Sequence, residues 1–150
     1  MKKTKLIVVA GPTASGKTGL GIEIAKAVNG EIISADSMQV YKDMGIATAA
    51  PTEKERAQVP HHLVEFLDRN ENYSVSDFCK YAKKAVDDIT GRNKVPVIVG
   101  GTGLFIDSFV DNIKFTQAQT DFELRDRLMK MDADALYAEL VRIDPAAAEK

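Results

Sequence analysis

The chain has 150 residues, of which 45% are hydrophobic, and its formal net charge is −2. That length is typical of one globular domain, which can bury a core without disulfides or structural metals. The slight negative charge excludes a general electrostatic attraction to nucleic acid or to an anionic membrane, so any site for a polyanion must be a local patch. The chain has one cysteine, Cys79, which excludes an internal disulfide.

The N-terminal apolar stretch, Leu6–Ala10, is shorter than the hydrophobic region of a signal peptide. No apolar run approaches the roughly 20 residues that a membrane-spanning helix needs. We therefore expect a cytoplasmic protein without a membrane partner, and we expect it to be a monomer.

The same apolar stretch predicts a first strand over residues 5–10, and it leads into a complete G-x-x-x-x-G-K-[ST] loop. In this loop, glycines let backbone N–H groups close around phosphate oxygens, Lys17 reaches the distal phosphates, and the Thr18 hydroxyl can bind Mg²⁺. A helix predicted over 17–28 adds the positive end of its dipole. We predict that a phosphate or diphosphate binds to the whole loop, which consists of Gly11, Pro12, Thr13, Ala14, Ser15, Gly16, Lys17 and Thr18.

Strand and helix patterns alternate through the first hundred residues. This alternation predicts an α/β fold in which helices flank a parallel sheet, as in the P-loop NTPases. The further elements predicted in this part are strands at 31–35, 62–67 and 95–99, a short helix that opens at Thr52, a helix from Ser76 to Ile89, and a helix at 104–111.

Beyond Ile113 the pattern changes to helices alone. A polar stretch, Lys114–Thr120, precedes two amphipathic helices at 121–130 and 133–142, and Asp144-Pro145 opens a third helix. We predict a P-loop α/β unit over 1–112 and a helical unit over 113–150. Because the third helix has so few residues before Lys150, we expect the chain to be truncated.

Three conspicuous segments follow predicted strands, and in open α/β sheets ligands gather beyond the carboxyl ends of the strands. They are the phosphate loop, the segment that starts at Asp36, and the glycine-rich segment around Thr102. Asp36 can accept a proton or bind Mg²⁺, Gln39 can pair with the edge of a base, and Thr102 can donate to a phosphate. Turn and capping chemistry uses the same residue types, so the second and third segments also fit simple turns.

The adjacent residues His61 and His62 belong to a residue type that often binds metal ions. Neighbouring side chains of a strand point in opposite directions, and the chain has no further His and too few Cys to complete a zinc site. We therefore expect both histidines to be structural or to line a substrate site.

A linked series of motifs resembles the tRNA dimethylallyltransferases, the bacterial tRNA isopentenyltransferase family, over essentially the whole chain. The motifs occur in the order seen in that family: Gly11–Thr18, Asp36–Tyr41, Gly45–Thr48 with Pro51-Thr52, Val59–Leu63 and Val99–Leu104. The resemblance implies transfer of a dimethylallyl group from dimethylallyl diphosphate to N6 of adenine 37 in tRNAs that read U-starting codons. Pyrophosphate is the implied leaving group, and Mg²⁺ the implied cofactor.

The resemblance also implies roles for individual residues. Asp36 is the implied general base for the N6 proton, and Lys17 and Thr102 are implied to act with it at the reacting centre. Position 125, an arginine, is implied to contact tRNA. The resemblance further implies that 1–112 form the P-loop catalytic core and that 113–150 are the start of a helical tRNA-binding insertion. The complete set of implied tRNA contacts is Asp36, Ser37, Met38, Gln39, Thr102 and Arg125.

Two other functions stay open on the sequence alone. The first is a P-loop kinase for a small molecule or nucleoside, although Arg56, Arg69 and Arg92 stand apart and form no arginine-rich lid. The second is a fragment that binds a nucleotide such as ATP, or a diphosphate, without catalysis. The most apolar internal strand ends in Gly-Gly-Thr instead of the Asp that supports hydrolysis in many P-loop proteins, which favours a transferase.

Overall fold

A computed structural model describes residues 5–113, 115 and 121–149. The chain forms two compact units, Met1–Lys114 and Phe115–Lys150. The strands of the first unit are β1 (Ile7–Ala10), β2 (Gly30–Ala35), β3 (His61–His62) and β4 (Val95–Gly100). Its helices are α1 (Lys17–Ala27), α2 (Gly45–Thr48), α3 (Glu53–Arg56), α4 (Val75–Gly91) and α5 (Gly103–Val110).

The four strands form one parallel sheet in the order β1-β4-β2-β3. Helices cover both faces, because successive side chains of a buried strand point to opposite sides. On one side, Ile32 and Val97 pack with residues of α1 such as Ile22. On the other side, Ile33 and Ile98 pack with residues of α4 and α5. The predicted α/β fold with a parallel sheet is confirmed.

Helix α4 shows how the sequence builds the second of these layers. A capping box between Ser74 and Asp77 starts the helix, since each residue binds the backbone N–H of the other. The apolar residues then recur at helical spacing, and the buried ones are Phe78, Ala82, Ala85, Val86 and Ile89. The helix predicted from Ser76 to Ile89 is therefore confirmed, but it is capped by Ser74 and begins one residue earlier, at Val75.

The predicted strand at 62–67 is wrong beyond its first residue. Strand β3 ends at His62, because Leu63 and Glu65 adopt left-handed backbone conformations, with φ of 60° and 48°, which an extended strand cannot contain. Pairing resumes only as an isolated parallel bridge between Tyr41 and Leu67. Helix α2 was not predicted, since it is a single turn whose N-cap, Met44, makes no side-chain bond to the helix.

The second unit consists of α6 (Phe122–Leu128), α7 (Ala133–Ile143) and α8 (Pro145–Ala148). An aspartate caps each helix by accepting a hydrogen bond from a backbone N–H three residues later, at 2.8–3.0 Å. The three predicted helices are thus confirmed, whereas most of the polar stretch Lys114–Thr120 lies outside the described residues. The assignment of this part to a tRNA-binding insertion stays a prediction. Among the described residues, no helix has the length and apolar character to cross a bilayer.

A buried carboxylate ties three elements of the first unit together. The Glu31 side chain at the start of β2 is 1% exposed and binds Arg92 through both oxygens. It also accepts hydrogen bonds from Lys94 Nζ at 2.8 Å and pairs with His62 Nε2 at 2.7 Å. The Arg92 hydrogen bonds are the main reason that the pKa of Glu31 lies far below its usual range, and they outweigh the opposing effect of burial.

We expect Glu31→Gln to lower the free energy of unfolding by about 2–4 kcal/mol, because it removes the anion that compensates several cations at a buried position. Urea denaturation measures this change. A matched control is Glu23→Gln, which breaks an exposed pair with Lys26 and should cost less than about 1 kcal/mol. Equal effects of the two substitutions would contradict a structural role for the Glu31 cluster.

The lowered pKa of Glu31 also predicts a dependence of stability on pH. A carboxylate whose pKa is depressed by folding stabilises the folded state above its unfolded pKa of about 4.3, and this contribution is lost as the pH falls below that value. Wild-type protein should therefore lose stability between about pH 5 and pH 2 more steeply than Glu31→Gln. Parallel stability curves of the two proteins would show that Glu31 is not the responsible group.

Candidate functional site

The parallel register brings the ends of three strands into one row. Ala10 of β1 pairs with Gly100 of β4, and Gly100 pairs with Ala35 of β2. The residues that follow, Gly11, Gly101 and Asp36, therefore leave the sheet at the same edge. The three segments that follow these strands therefore come together at one edge of the sheet, as expected.

The phosphate loop connects β1 to α1 and is anchored to the neighbouring strand. The Gly11 N–H donates to the carbonyl oxygen of Gly100 at 3.3 Å, and the Ser15 N–H closes a turn on the Pro12 oxygen at 3.3 Å. Gly16 caps α1 with φ of 82°, a left-handed conformation that favours glycine. Thr13, Ala14 and Ser15 are exposed between these anchors.

The N-terminus of α1 points at this loop without competing anions. No side chain caps the helix, and its first turn has no acidic residue. Its first backbone N–H groups therefore remain available to an anion, and the helix dipole favours one there. Lys17 lies at the first helical position, where its Nζ donates to the Pro12 oxygen at 2.9 Å. A phosphate in the loop would meet these backbone donors, the Lys17 ammonium and the Thr18 hydroxyl together.

Asp36 is fixed at the end of β2 by its own turn. Its Oδ1 accepts hydrogen bonds from the backbone N–H groups of Met38, at 2.8 Å, and Gln39, at 3.2 Å. Among the described residues, its other carboxylate oxygen accepts no hydrogen bond. One oxygen therefore orients the carboxylate while the other stays available for a proton or a cation.

Thr102 joins the third segment to the second. Its backbone N–H donates to the Ala35 oxygen, and its Oγ1 accepts from the Ser37 N–H, both at 3.3 Å. Since the Thr102 hydroxyl accepts in this contact, its own hydrogen is free to be donated to a ligand. The turn at Asp36 and the glycine-rich segment therefore form one continuous rim.

These segments surround a pocket at the carboxyl ends of the strands, where small-molecule sites of α/β proteins usually lie. Lys17, Thr18, Asp36 and Gln39 line it, which brings the residues predicted to bind an anion and the Asp36 carboxylate into one space. Its apolar lining comes from the inner ends of the strands and from the α2–α3 connection, namely Ile32, Val99 and Pro51. Of the described residues, no group of three or more His, Cys, Asp or Glu could by itself hold a metal ion.

Three of the residues predicted to contact tRNA, Gln39, Met38 and Arg125, differ in their surroundings. The Gln39 amide is engaged within the protein, since its Oε1 accepts from Ser34 Oγ at 3.1 Å and its Nε2 donates to the carbonyl oxygens of Thr48 and Ala49. Met38 is 47% exposed beside the pocket. Arg125 is an exposed residue of α6 and belongs to the second unit.

Sequence reasoning gave no site role to Ser34 or Pro51, although Pro51 belongs to one of the motifs of the resemblance, and it left open whether His61 lines a site. All three line the pocket. Only the alternation of β2 could have indicated Ser34, because Ile32, Ser34 and Asp36 are spaced two apart and so share one face of the strand. Apart from that motif, no local signal marks Pro51.

The fold and the pocket define a class of protein, namely P-loop α/β proteins in which an anion-binding loop and a carboxylate share one pocket at the strand ends. The model of the IPP transferase family matches residues 39–150. The chain belongs to this family.

Individual relatives agree with this assignment. The tRNA dimethylallyltransferase of Acetivibrio thermocellus is 47% identical over 149 residues, which cover 97% of this chain and 48% of the relative. The enzyme of the same name from Carboxydothermus hydrogenoformans is 48% identical over 150 residues, which cover 97% of this chain and 48% of the relative. The chain thus spans about half the length of the curated relatives it matches.

Solved structures share the fold. The full-length tRNA isopentenylpyrophosphate transferase from Bacillus halodurans superposes with a TM-score of 0.75 at 40% identity, over 98% of this chain and 50% of that one. A eukaryotic dimethylallyltransferase acting on tRNA superposes with a TM-score of 0.85 at 37% identity, over 97% of this chain and 37% of that one.

The space beside Lys17 yields a prediction for Gly101. A Cβ on Gly101 would lie 3.1 Å from the Gly11 oxygen and 3.8 Å from Lys17 Nζ, where an anion has to enter. We expect Gly101→Ala to weaken pyrophosphate binding about five- to thirtyfold, as a crowding cost of 1–2 kcal/mol implies. Isothermal titration calorimetry measures the affinity.

Gly91→Ala is the matched control for this substitution. A Cβ there meets nothing within 4 Å, and the residue ends α4 away from the pocket-lining set. It should leave pyrophosphate affinity unchanged. If Gly101→Ala also leaves the affinity for pyrophosphate unchanged, the β4–α5 connection is not part of the anion site.

Proposed function

We propose that this chain supplies the catalytic core for transfer of a dimethylallyl group from dimethylallyl diphosphate to N6 of adenine 37 in tRNAs that read U-starting codons. One observation carries the proposal: Lys17, Thr18 and Asp36 line the same pocket. A diphosphate cradle beside an available carboxylate suits a reaction in which an anion leaves and an amine loses a proton. Membership of the IPP transferase family supports this choice of substrates.

The leaving group determines what the loop has to do. As the bond between the allylic carbon and its oxygen breaks, negative charge grows on the departing pyrophosphate. Backbone N–H groups at the start of α1 and the Lys17 ammonium stabilise this charge because they are aimed at it before the reaction begins. We assign diphosphate binding to the whole loop Gly11–Thr18.

The acceptor determines what Asp36 has to do. An exocyclic amine conjugated to a purine ring is a weak nucleophile, so removal of a proton as the new N–C bond forms lowers the barrier. The carboxylate oxygen that the turn leaves available is the base we propose for this step. The adenine has to leave the anticodon stack before its N6 can reach a pocket, and we propose that Ser37, Met38 and Thr102 at the rim contact the flipped base.

Gln39 and Arg125 complete the proposed tRNA contacts. The Gln39 amide would have to exchange its bonds to Thr48 and Ala49 for bonds to the base. Arg125, in the second unit, offers a guanidinium suited to a phosphate of the RNA backbone.

Mg²⁺ is the metal we propose, because the Thr18 hydroxyl offers a hard oxygen ligand in the pocket that would receive the diphosphate. When bound, Mg²⁺ would neutralise charge on the diphosphate. We further propose a cytoplasmic location, where tRNA is found, and a monomeric state.

The alternative of a small-molecule kinase has less support. Of the described arginines, Arg56 and Arg92 are engaged in ion pairs, with Glu65 and with Glu31. They are therefore not poised to clamp a transferring phosphoryl group. A fragment that binds diphosphate without catalysis is the second alternative, since the matched relatives are about twice as long.

A direct assay separates these functions. The protein is incubated with labelled dimethylallyl diphosphate, Mg²⁺ and unmodified tRNA that has adenines at positions 36 and 37. We expect label on the tRNA. Phosphorylation of a small acceptor by ATP would instead support the kinase, and diphosphate binding without any product would support the fragment.

Asp36→Asn tests the base. Asparagine keeps an oxygen that can accept from the Met38 and Gln39 N–H groups, so the turn should persist, but it cannot take a proton. Transfer should fall at least about 100-fold, while diphosphate affinity stays within about twofold of wild type. Equal losses of binding and transfer would contradict the proposed role.

Lys17→Ala tests the cradle and is the counterpart of Asp36→Asn. Loss of a charge-assisted hydrogen bond should weaken diphosphate binding by about 1.5–3 kcal/mol, or roughly 10- to 150-fold. Calorimetry with dimethylallyl diphosphate measures this change. An unchanged affinity would place the diphosphate elsewhere.

A further inference from the structure

His61 lines the same pocket as Lys17, Thr18 and Asp36, and the proposed mechanism gives it no task. It lies in β3 opposite Ile32 of β2, and His62 follows it. The two histidines differ in their contacts: His62 pairs with the buried Glu31, whereas His61 faces the pocket. His62 is therefore a structural residue, whereas His61 borders the space in which we propose that the substrates bind.

The hydrogen bonds of His61 determine its tautomer. Its Nδ1 lies 2.7 Å from the Val59 carbonyl oxygen, and since a carbonyl oxygen can only accept, Nδ1 carries the hydrogen. In the neutral ring, Nε2 then has a lone pair and is an acceptor. This Nε2 is buried, and none of the described residues donates a hydrogen bond to it.

The surroundings of His61 favour the neutral ring. Burial lowers the pKa of His61, and the nearby Arg56 guanidinium acts in the same direction. The ring therefore presents an acceptor to the pocket. A buried acceptor without a donor is costly, and such groups in native structures usually have a reason.

The chemistry of the proposed substrates limits what can donate to this nitrogen. Neither the diphosphate oxygens, when ionised, nor the dimethylallyl group has a hydrogen to donate. The exocyclic amine of adenine has two N–H hydrogens, of which the proposed base takes one. Mg²⁺ in such sites usually keeps several waters, and these are O–H donors.

We propose that Nε2 of His61 accepts a hydrogen bond from a donor group that enters the pocket with the substrates, either a water of the Mg²⁺ shell or the exocyclic amine of the base. The inference rests on the proposed function for the identity of the donor. It makes His61 a ligand contact in addition to the phosphate loop and Asp36.

Two substitutions at the same position isolate this nitrogen. In His61→Asn, the side-chain amide can still donate to the Val59 oxygen, as Nδ1–H does, but nothing remains at the place of Nε2. In His61→Gln, the longer side chain can put an amide oxygen near that place and so restore an acceptor. His62→Gln is the matched control, because its wild-type contact is with Glu31.

Binding measurements distinguish the two donors. The first arm titrates inorganic pyrophosphate with and without Mg²⁺ and needs no prenyl transfer. The second arm compares anticodon stem-loops that have adenine or purine, which lacks the amine, at position 37. A water donor predicts that His61→Asn loses about tenfold in Mg²⁺-dependent affinity only, and an amine donor predicts a loss of about tenfold in the preference for adenine over purine.

Either loss, if partly restored in His61→Gln and absent in His62→Gln, supports the proposal. If His61→Asn changes neither quantity, or weakens pyrophosphate binding equally without Mg²⁺, the proposal is overturned, and His61 is a packing residue or binds another protein group. The tRNA transfer assay on wild-type protein is run beside both arms. Failure of that assay would reject the proposed function, while the pyrophosphate arm would still report on His61.

Discussion

The alignment of three strand ends is the constraint on which the site depends. Because β1, β4 and β2 are parallel and in register, Ala10, Gly100 and Ala35 end their strands in one row. Three connections, distant in sequence, therefore leave the sheet at one edge and bond to one another there: Gly11 to Gly100, Thr102 to Ala35, and Ser37 to Thr102. A shift of one residue in the β2–β4 register would turn Asp36 to the opposite face.

Two carboxylates, Glu31 and Asp36, lie at opposite ends of β2. At the start of β2, Glu31 is buried and saturated by Arg92, Lys94 and His62, so its charge serves the fold. At the end of the same strand, Asp36 has one oxygen engaged by backbone N–H groups and one available. The carboxylates at the two ends of one strand therefore have different surroundings, because Glu31 meets cations in the interior and Asp36 accepts only from backbone N–H donors beside a pocket.

Much of this arrangement follows from local sequence. The loop from Gly11 to Thr18 is specified by its glycines and by the strand and helix around it, and the capping boxes at Thr52 and Ser74 fix where α3 and α4 begin. The strand predicted at 62–67 was mostly wrong, because left-handed residues at Leu63 and Glu65 interrupt an apolar pattern that otherwise reads as extended. The order of the strands was not predicted, since hydrophobic runs of similar length do not say which neighbour each one pairs with.

The sequence by itself determined the class of fold, the G-x-x-x-x-G-K-[ST] loop between β1 and α1, and the likeness to the family, because each depends on residues that are adjacent or regularly spaced in the chain. Tertiary structure decided which side chains share the pocket. Ser34, Pro51 and His61 come to the same cavity as Lys17 and Asp36 only after β2 and β3 have paired and α1 has packed on the sheet. Packing also decided that the Gln39 amide bonds to Ser34 and to Thr48, since contacts with residues five and nine positions away depend on how the irregular chain around Gln39 turns.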